Sequence, residues 1–373
     1  VRRFHPWVGG TERYVLDVAR VQARRGHAVR VLTLDRDVLG DARALPRRQL
    51  HAGVDIVRVP GRGGARWALT TRPLEVVRAV GWADVVHQHD LRFHPGLTAV
   101  AAALRRRPVL FHTHGLIFHT DEDAALKRAL VRRYYGPLMR AGRAAVVCDS
   151  EADRRRLLDL APTLRRRAIH VPDAVDVSEL TGIEAAPVPG RIVVIGRVAP
   201  SKGIDRMIVV LAALPSPWHL VIAGRAEADH GATLAEVAAR SGVVDRVTLA
   251  GPYPDGGLAD VLREAAVAAF PSRGEGFGLA LVEALAAGLP VIASDLPSHR
   301  EILGDELAGS VVDFDDPASI ARGLERVAGT PEAVARSRGG AARRVSHFGI
   351  ERLADDLERV TRRLIDRGTG GPL

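Results

Sequence analysis

Residues 270–303 read FPSRGEGFGLALVEALAAGLPVIASDLPSHREIL. The apolar run ending at Phe270 predicts a buried strand, which Pro271 and Ser272 stop. Gly274, Gly276 and Gly278 then open a turn, and Leu279–Ala287 predicts a helix closed by Ala287-Gly288-Leu289-Pro290. A strand, a glycine turn and a helix N-terminus form an anion site, because unpaired backbone N–H groups and the helix dipole face whatever sits there. Glu275 lies in the turn. Glu283 lies inside the helix, roughly 12 Å further along at the helical rise per residue. Two carboxylates flanking a phosphate cradle suit a ligand with hydroxyl-rich groups on both sides of a diphosphate, and a nucleotide sugar is such a ligand. The plainer alternative is an ordinary strand-to-helix turn with two solvated glutamates.

In this order of elements the stretch resembles the signature of glycosyltransferase family 4, retaining enzymes of GT-B fold, whose E-x7-E pattern falls on Glu275 and Glu283. The resemblance implies that Glu275 contacts the donor hexose as a catalytic residue and that Glu283 binds the ribose hydroxyls. It also implies that the backbone of Gly276, Phe277, Gly278 and Leu279 meets the donor phosphates and sugar.

Lysine placement is a separate signal. Of 53 basic residues only Lys127 and Lys202 are lysine. Lys202 sits in IGRVAPSKGIDRMI, between the predicted strand Ile192–Ile195 and a helix. A compact ammonium acts as a point charge on phosphate, whereas a guanidinium fork needs more room. Arg197 and Lys202 resemble the family's basic pair that neutralises the donor diphosphate; the alternative is a surface loop with one surviving lysine.

At 373 residues and 47% hydrophobic composition the chain is long enough for two cores. One cysteine, Cys148, allows no internal disulfide and favours a reducing, cytoplasmic setting. No signal peptide opens the chain and no run of apolar residues is long enough to span a bilayer.

Charge is uneven. The chain carries 32 basic and 16 acidic residues up to Pro172, against 21 and 28 after it. So basic a half points to an anionic partner. No nucleic-acid motif accompanies the charge. The stretch LKRALVRRYYGPLMRAGR, residues 126–143, sets Lys127, Arg128, Arg132, Arg133, Arg140 and Arg143 among Leu126, Leu130, Tyr134, Tyr135 and Leu138. This composition suits either peripheral contact with an anionic membrane at its inner face or a solvated helix face, with Gly136-Pro137 expected to interrupt the helix.

Short β-branched runs alternate with amphipathic stretches along the whole chain, which predicts parallel sheets with helices on both faces. Strands are expected near Val29–Leu34, Ile56–Val59, Val85–His89, Val109–Thr113, Ala145–Cys148 and Ile169–Val171. A second set is expected at Ile192–Ile195, His219–Ala223, Val247–Ala250, Val267–Phe270, Pro290–Ser294 and Ser310–Val312. Residues 171–190, rich in proline and small residues, read as a linker. The expected fold class is α/β, two doubly wound Rossmann-like domains facing each other across a cleft. Residues 1–172 would form the acceptor-binding domain and 187–348 the donor-binding domain, with a helix over about 349–366 packing back on the first. Ligands in such folds sit at the carboxyl ends of the strands.

The opening, RRFHPWVGGTERYVLDVARVQARRGHAVRVLTL, resembles the family's glycine loop and first helix. Gly9 and Gly10 would let backbone approach the donor phosphate or acceptor, and Thr11 would cap the helix. The strand that precedes this loop in the family is almost missing ahead of Phe4, so either the chain begins a few residues late or that strand is short. No G-x-G-x-x-G fingerprint follows.

Six histidines crowd residues 87–119. His87 and His89, and likewise His112 and His114, share a strand face, but no acidic or thiol ligand completes a metal pattern. THG at 113–115 resembles the family position whose histidine reaches the donor sugar, which makes His114 a catalytic candidate. FHTHGLIFHTDEDAALKRAL is similar to the stretch of the subgroup that transfers mannose from GDP-mannose to lipid-diphosphate-linked oligosaccharides, with Leu116-Ile117 in place of Gly-Phe. VPDAVD at 171–176 has Asp173 where that subgroup's hinge has asparagine, a change that bears on hinge geometry rather than on activity class.

DRD (35–37), DED (121–123) and DFD (313–315) match the metal-binding D-x-D by composition; for 313–316 a helix-capping role fits better. No metal and no cofactor is therefore expected. The partners are a GDP- or UDP-hexose and a glycan or lipid-linked acceptor, with the base read near Arg225 and Tyr253. Two other readings stay open: a UDP-sugar enzyme acting on a soluble small molecule, and a non-catalytic sugar-nucleotide-binding protein.

Overall fold

The computed structural model describes residues 1–6, 9–36, 45–63, 68–89, 91–115, 124–227, 229–254 and 256–366. Backbone contacts divide the chain into two units, Val1–Ala174 with the segment from Ile350 onward, and Val175–Gly349.

The strands of the first unit are β1 (Arg30–Leu34), β2 (Arg48–His51), β3 (Val54–Val59), β4 (Gly61–Gly63), β5 (Ala68–Thr70), β6 (Val86–Gln88), β7 (Val109–His112), β8 (Ala144–Cys148) and β9 (Ala168–His170). Its helices are α1 (Gly10–Arg24), α2 (Pro73–Trp82), α3 (Pro95–Leu104), α4 (Ala124–Leu130), α5 (Gly136–Met139) and α6 (Glu151–Leu160). The second unit carries β10 (Arg191–Ile195), α7 (Ile204–Leu211), β11 (His219–Ala223), α8 (His230–Arg240), β12 (Val247–Gly251), α9 (Leu258–Arg263) and β13 (Val267–Phe270). It continues through α10 (Leu279–Ala286), β14 (Val291–Ser294), α11 (Pro297–Leu303), β15 (Val311–Val312), α12 (Pro317–Ala328) and α13 (Pro331–Val345). The last helix, α14 (Ile350–Asp366), belongs to the first unit.

In the first unit β6-β7-β8-β9 form one parallel sheet and β1-β3 a second, with β2 added antiparallel at its edge and β4-β5 as a separate antiparallel pair. The antiparallel pieces were not expected, since RQLH and the glycine-rich β4 lack apolar alternation. One core joins both sheets: Val31 and Ile56 pack in the same cluster as Leu110 and Val147. Residues 1–4 run beside β1, where the Val1 nitrogen donates to Leu32 O (3.1 Å) and Leu34 N–H to Arg2 O (3.3 Å), with Phe4 fully buried. Helix α14 buries Ile350, Leu353, Leu357, Val360 and Leu364, the three-and-four spacing of a single apolar stripe, and meets α1. At that contact Arg25 binds Glu351, Asp355 and Glu358 at 2.7–2.9 Å.

Two local expectations fail. Thr11 does not cap α1: the helix starts at Gly10, Gly9 holds the cap position without a side-chain bond, and Thr11 is already inside the first turn. Nor does Gly136-Pro137 break the arginine-rich helix. A π turn over Val131–Tyr135 precedes it and the chain continues into α5, the wider turn absorbing the donor that proline lacks.

The second unit is one six-stranded parallel sheet, ordered β12-β11-β10-β13-β14-β15. Strand order reverses between β10 and β13, which is where doubly wound sheets hold ligands.

Candidate functional site

Two loops meet at that reversal. After β10 the chain passes Gly196 (φ 106°), makes a single turn over Pro200–Lys202 and enters α7 through Gly203 (φ 60°). After β13 it passes Pro271, Ser272 and the glycine turn and enters α10 through Gly278 (φ 119°). Arg273 N–H donates to Ser201 O at 2.8 Å and so stitches the loops together. A Cβ on Gly203 would lie 2.2 Å from Pro271 O, so the close approach requires glycine.

Loop contact places Lys202 Nζ 2.6 Å from Glu275 Oε1, and Ser272 donates its hydroxyl to the same oxygen at 2.7 Å. Both side chains of the ion pair are largely buried, at 18% and 11% exposure. Burial pushes the Glu275 carboxyl up, but Lys202, with help from His299 and Ser272, outweighs it and holds the group below its usual range. The unit thus keeps a buried anion and a buried cation at the mouth of a helix N-terminus, each ready to be exchanged for a ligand group of opposite sign.

The remaining donor-site candidates of this unit spread around that pair. Glu283 is half-buried on the second turn of α10. Gly276 and Leu279 are partly buried. Phe277 is buried edge-to-face against Phe348 at 5.6 Å, so only its backbone is available to a ligand. The Arg197 guanidinium binds Glu227 at the surface. Arg225 is exposed just beyond β11 and Tyr253 half-buried just beyond β12. Asp316 caps α12 by accepting from Ala318 N–H at 2.9 Å, while Asp313 and Asp315 face Arg206. The other acid pairs extend beyond the described residues, as do Leu116-Ile117. A cavity of about 730 Å³ near the ends of β13 and β14 shares Ser272 with the pair but is not lined by Lys202, Glu275 or Glu283; its arginines, Arg206, Arg273 and Arg300, are already matched with Asp315, Asp205 and Asp295.

In the first unit Gly10 is exposed, and a Cβ there would meet nothing within 4 Å, so the chain's own packing does not demand glycine. His114, at φ 46°, joins a stack of buried rings. Its Nε2 lies 3.1 Å from His89 Nδ1, His87 Nδ1 lies 3.0 Å from His112 Nε2, and the His89 and His112 centroids are 4.1 Å apart. Burial holds His89 and His112 well below the ordinary histidine value and His87 at about 4, so these rings are neutral at pH 7. Contrary to the expectation that no acid accompanies the histidines, Asp149 Oδ2 sits 3.7 Å from His114 Nδ1, and His114, Asp149 and Asp173 bring ligand atoms within 4.8 Å of one another. His87, His89 and His112 do the same. Either trio has the span a cation would need. Sequence reading missed the acids because they come from the ends of two later strands.

Burial, with Asp153 nearby, pushes Asp173 up to about 8. A protonated carboxyl offers a donor beside an acceptor, as a primary amide does with one donor more, so a protonated Asp173 can stand in for the hinge asparagine where a single donor is needed. Unfolded, the group titrates near 4, so between about pH 4 and pH 8 the folded chain holds a proton that the unfolded chain has lost. This contribution therefore makes stability fall as pH rises through that window. Asp173→Asn should flatten the fall and leave the protein more stable than the parent at pH 8; urea melts at pH 5 and pH 8 measure it. Parallel pH dependence in both proteins would mean that Asp173 is ionised when folded.

The family model described as Glycosyltransferase Family 4 matches residues 8–179, and that described as Glycosyl transferases group 1 matches residues 184–343. The chain is 33% identical over 336 residues to the GDP-mannose:cellobiosyl-diphosphopolyprenol alpha-mannosyltransferase of Xanthomonas campestris, covering 88% of this chain and 86% of that protein. It is 32% identical over 338 residues to the phosphatidyl-myo-inositol mannosyltransferase of Mycobacterium tuberculosis H37Rv, covering 85% and 83%. Among solved structures, sucrose-phosphate synthase from Thermosynechococcus elongatus superposes with a TM-score of 0.74 at 19% identity, over 96% of this chain and 94% of that one, a likeness of fold alone.

Proposed function

Because the chain belongs to glycosyltransferase family 4, with GT-B fold, we propose that this glycosyltransferase moves mannose from GDP-mannose, with retention and without a metal, to a lipid-diphosphate-linked glycan. The names of the two mannosyltransferase relatives support the donor and the lipid-linked acceptor. The observation that carries the reading is the Lys202–Glu275 pair at the sheet's reversal point.

Donor binding exchanges that pair. The diphosphate takes Lys202 together with the N–H groups that open α10 behind Gly278, the hexose hydroxyls take Glu275, and the ribose takes Glu283. Arg197 and the backbone at Gly10 add to phosphate binding in this scheme, while a part for His114 at the sugar rests on the family resemblance. Lys202 and the helix dipole stabilise the leaving diphosphate as the glycosidic bond loosens, and the anomeric carbon gains oxocarbenium character beside the Glu275 carboxylate. No side chain serves as nucleophile; the acceptor enters from the face the diphosphate leaves, whose oxygen takes the acceptor proton. Thermal shift with GDP- and UDP-sugars tests the donor, since a ligand at about 100 times its Kd adds about 2.7 kcal/mol. Transfer of labelled mannose to a polyprenyl-diphosphate oligosaccharide tests the acceptor. A response to UDP-sugars alone would overturn the mannose reading.

Lys202→Ala should weaken free nucleoside diphosphate by roughly 1.5–3 kcal/mol and the bare nucleoside much less. Calorimetry with both ligands checks this, and equal losses would remove Lys202 from the diphosphate site.

Membrane contact is proposed as electrostatic, at the inner face. No helix among the described residues is long and apolar enough to cross a bilayer. In the basic stretch Tyr135 is buried and Leu130 and Leu138 pack on the core, leaving Arg128, Arg132 and Arg133 exposed with Leu126 and Tyr134. Changing the three arginines to glutamine should lower binding to anionic vesicles on the order of a hundredfold, at about 1 kcal/mol per charge, and salt should mimic the change. Vesicle sedimentation unaffected by either would leave only a solvated face.

A further inference from the structure

His299, on α11, is fully buried against the glycine turn. Its Nδ1 lies 3.0 Å from the carbonyl oxygen of Ser294, which can only accept, so Nδ1 carries a proton. In the neutral ring Nε2 is then a bare acceptor, and it is buried without a hydrogen-bond partner. A Cβ placed on Gly278 would sit 3.6 Å from the ring's Cδ2 and 3.8 Å from Nε2, so the bare nitrogen lies beside the glycine turn that also carries Glu275. A buried polar atom left unpaired in this position is a site awaiting a proton or a ligand.

The charged groups that act on the ring come from two other loops: Glu275 from the β13–α10 turn, which favours a proton on it, and Lys202 from the β10–α7 turn, which opposes one. On its own element, Arg300 is committed to Asp295 at the surface, and Arg344 of α13 reaches the carbonyls of Glu301 and Ile302. With the ammonium on Glu275, burial first and Lys202 after it keep the imidazole below its ordinary value despite Glu275.

We propose that His299 is a positioning residue of the donor site, taking up a proton at Nε2 when a diphosphate binds and replacing Lys202 as the counter-charge of Glu275. The inference rests on the reading that the diphosphate recruits Lys202. As the ammonium turns to phosphate, the buried carboxylate loses its cation while new negative charge arrives, and His299, which acts on Glu275 electrostatically, is a group able to become positive. The proton comes from solvent and Nε2–H then faces the glutamate, holding it in place for the sugar hydroxyls. Retention of the buried carboxylate in its ionised form, ready to accept from the hexose, is what the switch achieves.

The test is titration calorimetry with GDP, or with UDP where that binds more tightly, at pH 7 in several buffers of different ionisation enthalpy. The dependence of the observed enthalpy on buffer counts protons taken up. Wild type should take up about half to one proton more than His299→Gln, and Glu275→Gln should lose the same uptake. Equal proton counts in wild type and His299→Gln, with both binding the nucleotide, would overturn the inference and leave the diphosphate site intact. Full nucleotide affinity in Lys202→Ala would instead break the premise, and is measured separately. If His299→Gln fails to fold, wild type alone decides: Kd should weaken with rising pH between about 6 and 8, by at most about tenfold per unit, and a Kd that stays flat or tightens over that range overturns the proposal.

Discussion

Glu275→Gln should lower turnover by about 10²–10³-fold, the loss seen when a preorganised group facing the reacting centre is neutralised. The same substitution should leave free nucleoside diphosphate binding undiminished or tighter, because it releases Lys202 from its 2.6 Å partner. The fold should survive, since glutamine keeps an acceptor for Ser272. Glu283→Gln should behave in the opposite way, weakening the nucleotide whatever sugar it carries. Steady-state rates and calorimetry on the two variants separate the roles. Weakened diphosphate binding with near-normal turnover in Glu275→Gln would mean that the two roles are exchanged.

Gly224→Ala should be among the most destabilising single changes in the second unit. Gly224 follows β11 at φ 153°, and a Cβ there would lie 1.6 Å from the carbonyl oxygen of Gly196 and 2.7 Å from its carbon, both backbone atoms that no rotamer change can move. The two glycines also lie in the sheet's hydrogen-bond ladder, Gly196 N–H to Ala223 O at 3.0 Å and Gly224 N–H to Gly251 O at 2.8 Å. Relief would pull β10 away from β11 at the end that carries the Lys202 loop. A loss on the order of 4 kcal/mol, the upper range for point substitutions, corresponds to a melting temperature lower by about 10 °C. Gly10→Ala, where the added methyl meets nothing within 4 Å, is the control and should leave melting nearly unchanged. A Gly224→Ala protein that melts with the parent would show that β11 and the Gly196 loop do not approach this closely.

The fold class and half of the site can be read from the amino-acid sequence because they are local. Alternating apolar runs and amphipathic stretches specify strand and helix through periodicity, and the main strands lie within a residue or two of their expected bounds. Likewise the glycine turn, Glu275 and the α10 N-terminus are consecutive in one strand–turn–helix unit, so their chemistry is visible in one window. Strand order is not local. Lys202 and Glu275 are 73 residues apart and meet only because β10 lies next to β13 rather than next to β12. The same holds in the first unit, where β6 and β7 stack histidines 25 residues apart and the ends of later strands bring Asp149 and Asp173 to His114. Burial is equally a property of the packed whole: it turns Asp173 into a stand-in for asparagine and leaves His299 Nε2 bare beside the turn. Sequence periodicity determines which residues can form each βα unit. Which charges face each other, and which of them keep their protons, is decided by the order in which the sheet assembles those units and by the water that assembly excludes.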